Sequence, residues 1–585
     1  MNLRPPGVYE ERSESGYTPL ALRELGVVGF VGLAQRGPLN APVKVRDYGR
    51  FTEVFGKLSE QTYLDATVRA FFENGGRECY VLRVAHMDAR KPGELATTAS
   101  SSLIDSEGEQ TLFVDALNEG DWGNSLAVEV FSSLRLPRTF ITLDVKAGDE
   151  QVTVKSTHGI ERGTMLRFFD DDGNEEILTA IGVEGHSVRL APGSEPKRKH
   201  LSSAPTYVEP VSFGLKVSYL GREEVYNDLS ASEMSPYYFE TVVNGRSGLI
   251  RVKDARSPSE PPKNLPVAGQ SIVLSGGTDG FHSVCPDDFV GMSSGPTLRY
   301  GLASFEGVDD VDLLCCPDLM WAHQNSSGFH SLKDVEVVQR AFVSMCELLR
   351  DRFVLLDIPE AGTPSGALEW RQLFDSPYAA FYFPWVTLRS GDENLMLPAS
   401  GVVAGVYARC DINYGLHKPP ANEEIFGVSD VAVELTDTDL GTLNNRGINC
   451  LRPLPAKGIR VWGARTASSD PLQRHIPVRR ITSAIIRAMQ RDLQWAVFEP
   501  NSRALWKKVV RNIAFFLYDL WKRGYFKGSS PEEAFFVKCD DENNPEDVRD
   551  EGMLVVDVGV APIRPAEFLL FRISQEVEAG GGEEL

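Results

Sequence analysis

The chain has 585 residues, 42% hydrophobic and 24% charged, with a formal net charge of −22. That is more chain than one hydrophobic core serves, so roughly three or four folding units are expected. The acidic excess argues against nucleic acid as the main partner, and no apolar run approaches the roughly 18 to 20 residues that span a bilayer.

The first 25 residues are polar and hold Pro5, Pro6 and Pro19, so they read as an extended arm. Leu25–Ala34 (LGVVGFVGLA) is short, glycine-interrupted and flanked by Glu24 and Arg36. It reads as a buried strand, not as a secretion signal, and cytoplasmic synthesis is the expectation. A βαβ-like stretch follows: that strand, a helix over Ser59–Glu73 and a strand over Glu78–Val84 after the turn Asn74-Gly75-Gly76.

Residues 143–205 change character. Short alternating strands separated by Asp-Gly and other glycine turns, with no helical period, predict a small all-β insertion. Helix–strand alternation then resumes, with an amphipathic helix over Val335–Arg350 and a buried strand over Phe353–Ile358. In the last part, Val478–Trp495 and Asn501–Lys522 read as helices, the second capped by Ser502 and ended by Gly524. Strands are predicted over Glu533–Lys538, Met553–Val560 and Phe568–Ile573. The eight cysteines show no C-x-x-C spacing, and they read as reduced core residues.

The sequence has no P-loop, G-x-G-x-x-G or H-E-x-x-H. Gly276–Gly280 (GGTDG) lacks a phosphate-binding lysine and reads as a turn, and His323 and His330 read as solvated loop residues. Asp318 and Asp357 lie by apolar strands, where α/β enzymes place carboxylates. They are the residues a rival, hydrolase-like reading would use, but capping or loop roles are the expectation. A second rival is a receptor- or carbohydrate-binding protein acting through the insertion. No cofactor and no metal are expected.

Charge is unevenly spread. Pro471–Lys527 holds twelve Lys/Arg against three Asp/Glu, whereas Gly528–Leu585 holds four against fifteen. Arg503, Lys507 and Arg511 repeat at i, i+4 and i+8 with Lys508 beside them, one stripe on one helix face. The stripe is either a solvated face or a docking surface for an acidic partner.

The segments VFEPN (497–501), EEAFFVKCD (532–540) and VAPIRPAEF (560–568) resemble the C-terminal domain of contractile tail sheath proteins. That family takes in phage tails, R-type pyocins and extracellular contractile injection systems. PGVYEE (6–11), GFVGLAQRGPLNAPVKV (29–45), LSGGTDG (274–280), PASGVVAGVYARCD (398–411) and RVWGART (460–466) are also similar to it. The resemblance implies a mixed α/β, multidomain fold. It would comprise an N-terminal arm (1–25), a middle α/β domain (26–142 and 206–454), the outer all-β insertion (143–205), an inner C-terminal domain (455–566) and a terminal strand and tail (567–585). It implies a structural sheath subunit, not an enzyme, that polymerises helically around an inner tube and meets baseplate and tail-terminator proteins, with neither nucleic acid nor membrane insertion. Val8 and Tyr9 in one arm, and Phe568, Leu569, Leu570, Phe571, Arg572 and Ile573 in the other, would add strands to neighbours by β-augmentation. The stripe Arg503, Lys507, Lys508 and Arg511 would face the tube.

Overall fold

A computed structural model describes residues 20–22, 25–57, 62–133, 138–204, 206–260, 263–295, 298–360, 362–390, 393–565 and 567. The mixed α/β class expected from the sequence holds. An eight-stranded sheet runs in the order Val43–Val45, Cys79–Arg83, Val28–Gly32, Leu313–Cys315, Phe353–Asp357, Ala379–Phe383, Ile448–Leu454, Gly458–Trp462. The six inner strands are parallel, and each edge strand is antiparallel to its neighbour. Val28–Gly32, Phe353–Asp357 and Ala379–Phe383 are buried at every residue. That is why their sequences are unbroken apolar runs: a covered parallel strand has no solvent face.

Helices Tyr63–Glu73 and Ser400–Asn413 pack together beside this sheet. Glycine makes the approach possible, since a Cβ at Gly405 would stand 2.6 Å from the Phe71 carbonyl oxygen. The sheet also crosses residue 455, where the sequence placed the inner domain boundary. Ile448–Leu454 and Gly458–Trp462 form one hairpin, with Cys450 opposite Trp462.

Part of the expected middle domain is a separate, mainly β unit. A four-stranded sheet (Arg222–Leu229, Phe213–Tyr219, Ala127–Ser132, Ser271–Val273) and a three-stranded one (Ile250–Asp254, Gln110–Ala116, Ser100–Ile104) enclose their own core, which includes Leu103, Val114, Trp122, Val128 and Val217. The single α/β unit is therefore corrected to two cores. The physical reason is the alternating burial of strands such as Ala127–Ser132, which have one solvent face.

The insertion is a six-stranded sheet in the order Thr139–Phe140, Tyr207–Pro210, Met165–Phe169, Glu175–Glu184, Ser187–Leu190, Gln151–Thr153. Its core holds Ile141, Val145, Val152, Phe168, Leu178 and Val208. The unit spans 139–210, several residues wider at each end than 143–205, because its first and last strands pair with each other, Tyr207 opposite Phe140.

The C-terminal unit comprises helices Ile476–Asp492 and Arg503–Lys522 and the hairpin Phe535–Lys538/Asp557–Val560. Its core includes Ile481, Ile485, Val509, Ile513 and Phe516, and Leu20, Leu22 and Leu25 pack against it from the other end of the chain. Among the described residues no helix is long and apolar enough to cross a membrane.

Candidate assembly surface

Helix Arg503–Lys522 starts because Ser502 is extended and its Oγ accepts the Leu505 amide at 3.4 Å. Leu505, Trp506, Val509, Ile513, Phe516, Leu517 and Leu520 recur at helical spacing and are buried. The opposite face carries the basic stripe. Arg503, Lys507, Lys508 and Arg511 are all exposed. Arg503 pairs with Asp541 at 2.7 Å, a solvent-exposed contact of about 0 to 1 kcal/mol.

Sequence reasoning missed how this face continues. Phe515 is 73% exposed one turn beyond Arg511, and Tyr518 is exposed with the Lys522 ammonium 4.7 Å from its ring centroid. The signal was present: Phe515 stands four residues after Arg511, so helical spacing puts it on the face of the basic stripe. Val497 and Phe498 are exposed in the loop before this helix, and Phe498 sits at φ 67°. A bulky residue held in the left-handed region is costly and points to a role outside its own packing.

The basic excess of Pro471–Lys527 is partly consumed inside the chain. On helix Ile476–Asp492, buried Arg480 donates to both oxygens of Asp411 (2.8 and 2.6 Å) and to Asp312 (2.9 Å). Arg487 lies 4.0 Å from Asp312, and the Arg479 guanidinium stands 4.6 Å from the Tyr378 ring. Burial alone would lower the Arg480 pKa, but Asp411 and Asp312 hold it above its usual value. Burial raises the Asp411 carboxyl, with Arg480 pulling it back. These charges seat the C-terminal unit on the large sheet. Removing one partner of such a buried pair costs about 3 to 5 kcal/mol. Arg491 donates to the Ala21 carbonyl at 2.9 Å and so ties in the N-terminal segment.

Asp318 and Asp357 are buried acceptors. Asp318 takes the amides of Leu33 (2.7 Å), Tyr63 (2.6 Å) and Leu64 (3.0 Å), fastening the end of a strand to the start of a helix. Asp357 accepts the Ser400 amide at 2.9 Å and its hydroxyl at 2.5 Å. Burial pushes both carboxyls up to about 7. Neither is open to a substrate, being 0% and 3% exposed.

All eight cysteines are free, six of them buried and Cys285 and Cys539 half-buried. Among the described residues, His86, Cys285 and Asp288 form the one group of potential metal ligands. Their contacts have a local explanation. Cys285 and Asp288 make a reciprocal cap on helix Pro286–Val290, and Asp288 also takes His86 Nδ1 at 3.0 Å. His330 lies outside that group; its amide donates to Asp334 at 2.8 Å, at the start of helix Leu332–Leu349. The arm residues Val8, Tyr9 and Phe568 to Ile573 lie outside the described residues.

Two family models match consecutive stretches. The phage tail sheath protein central domain matches residues 292–467, and the phage tail sheath C-terminal domain matches 468–576. The chain belongs to the phage tail sheath family. The boundary between the two matches falls after the hairpin Ile448–Trp462, as the sheet topology requires. The tail sheath protein of Escherichia phage P2 is 26% identical over 249 residues, which is 41% of this chain and 60% of that protein's length. The tail sheath protein of Vibrio phage KVP40 is 23% identical over 97% of both chains. In fold, the contracted helical sheath of the anti-feeding prophage matches with a TM-score of 0.52 at 20% identity, over 98% of this chain and 100% of that one.

Proposed function

We propose that the chain is the sheath subunit of a contractile, phage-tail-like injection machine. It polymerises into a helix around an inner tube, is held in a metastable extended state, and contracts to drive the tube through a target envelope. The observation that carries this reading is family membership joined to a helix face that the described residues leave exposed: Lys507 and Arg511 followed by Phe515. Exposed ion pairs contribute about 0 to 1 kcal/mol each, but repetition over many identical subunits makes the assembled contact strong. Weak, screened contacts also release readily, which a sliding tube requires.

Subunit linkage is assigned to the two arms, Val8 and Tyr9 at one end and Phe568–Ile573 at the other. These would extend a neighbour's sheet, and the hairpin Phe535–Lys538/Asp557–Val560, only two strands wide, offers edges that could accept them. Stored energy would lie in a kinetic trap, so no nucleotide hydrolysis is called for. Baseplate and tail-terminator proteins are the expected partners at the two ends of the sheath.

Electron microscopy of the purified protein tests the reading. Long striated tubes are expected from the full chain. Protein truncated before Phe568 is expected to stay folded and monomeric. A discrete small oligomer from the full chain, or normal tubes from the truncated one, would overturn the reading.

A further inference from the structure

Behind the hairpin Ile448–Trp462 lies a cavity of about 280 Å3 lined by Arg371, Arg446, Arg465 and Arg474, with Ser468 and Ser469 at its wall. Arg371 and Arg465 are nine-tenths or more buried. Arg465 is engaged: its Nε and Nη2 grip the Glu567 carboxylate at 3.2 and 2.6 Å, and its Nη1 donates to the Asn444 carbonyl at 3.2 Å. Arg371 is only partly engaged. Its Nη1 and Nη2 donate to the carbonyls of Phe374 and Ala467, while its Nε is buried with no partner. Gly447 packs closely against this guanidinium, for a Cβ there would stand 3.3 Å from Nε and Nη2. Arg446 and Arg474 have no ion-pair partner among the described residues. Two carboxylates oppose the four guanidinium groups: Glu567, and Asp375, which accepts the Ser469 amide at 2.8 Å and its hydroxyl at 2.5 Å.

A buried guanidinium nitrogen without an acceptor is unfavourable, and fixed guanidinium forks fit planar and tetrahedral oxyanions. The cavity already demonstrates this chemistry once, on the carboxylate of Glu567. We propose that it is a binding site for a small oxyanion of the phosphate type. The oxyanion would be held beside Glu567 by Arg371, Arg446 and Arg474, with the Ser468 hydroxyl as a further donor. The inference stands apart from the sheath reading. Because Glu567 immediately precedes residues 568–585, a bound anion would share the cationic field that anchors the root of that segment.

Titration calorimetry of the full chain with inorganic phosphate, against chloride at matched ionic strength, tests it. Saturable phosphate binding is expected. Arg446→Gln with Arg474→Gln, both at sites with solvent access, should weaken it by about tenfold or more, whereas Glu567→Gln should tighten it about tenfold, each tenfold being 1.4 kcal/mol. Phosphate indistinguishable from chloride would overturn the proposal. So would unchanged affinity in the double variant, or affinity in Glu567→Gln no tighter than in the wild type.

Discussion

Asp357 shows what a single buried carboxylate does to this fold. It ends a central strand, and through the Ser400 amide and hydroxyl it fixes the start of helix Ser400–Asn413. Burial pushes its pKa up to about 7, with the Ser400 hydrogen bonds pulling the other way. The unfolded value is about 3.9. A folded pKa above the unfolded one means that the contribution is complete below about pH 4 and is lost as pH rises through about 7. The chain should therefore be harder to unfold at about pH 5 than at about pH 8, and Asp357→Asn should remove about 2 kcal/mol of that difference. Denaturant titrations of both proteins at the two pH values check this. An identical pH dependence in the variant would assign the effect to Asp318, whose carboxyl burial also raises to about 7, or to other groups.

At the scale of elements, the two long C-terminal helices divide one basic excess between two tasks. Helix Ile476–Asp492 turns Arg479, Arg480 and Arg487 inward as a charged joint with the large sheet. Helix Arg503–Lys522 turns its basic face outward. Lys507→Glu with Arg511→Glu should leave far-ultraviolet circular dichroism and melting unchanged, since both residues lie off the buried stripe. It should abolish the building of extended sheath around tubes, while empty contracted sheaths still form. High salt should weaken tube-templated assembly of the wild type in the same sense. Phe515→Ser should change monomer stability by no more than about 0.5 kcal/mol, as befits a surface site, yet reduce assembly. Tube-filled extended particles forming normally from the charge-reversed chain would return the stripe to a solvated surface.

At the scale of the molecule, the insertion hangs from two strands that leave and return side by side. Ser132 faces Phe213 in the sheet below, and Phe140 faces Tyr207 within the insertion. Replacing residues 134–211 with a short turn of the Asn-Gly type therefore closes an antiparallel hairpin already in register. The expected product is soluble, folds with the remaining cores intact and still assembles, as electron microscopy would report. Cutting only 147–204 is expected to do worse, because it leaves Ile141, Val145 and Val208 of the insertion core uncovered. An insoluble product from the wider excision would show that the insertion supports the sheets beneath it.

Local sequence determined the elements whose signals are local. Unbroken apolar runs marked the buried parallel strands, the Ser502 cap marked the helix that follows it, and alternation marked the all-β insertion. Motifs spread along the chain were enough for the family. What local sequence could not decide was which charges face inward. Arg480 meets Asp411 and Asp312, 69 and 168 residues away, and no spacing rule links positions so far apart. Domain edges were misplaced for the same reason: the hairpin across residue 455 and the pairing of Phe140 with Tyr207 are hydrogen-bond registers. Register is fixed by which strands meet in space, and only the tertiary structure decides that.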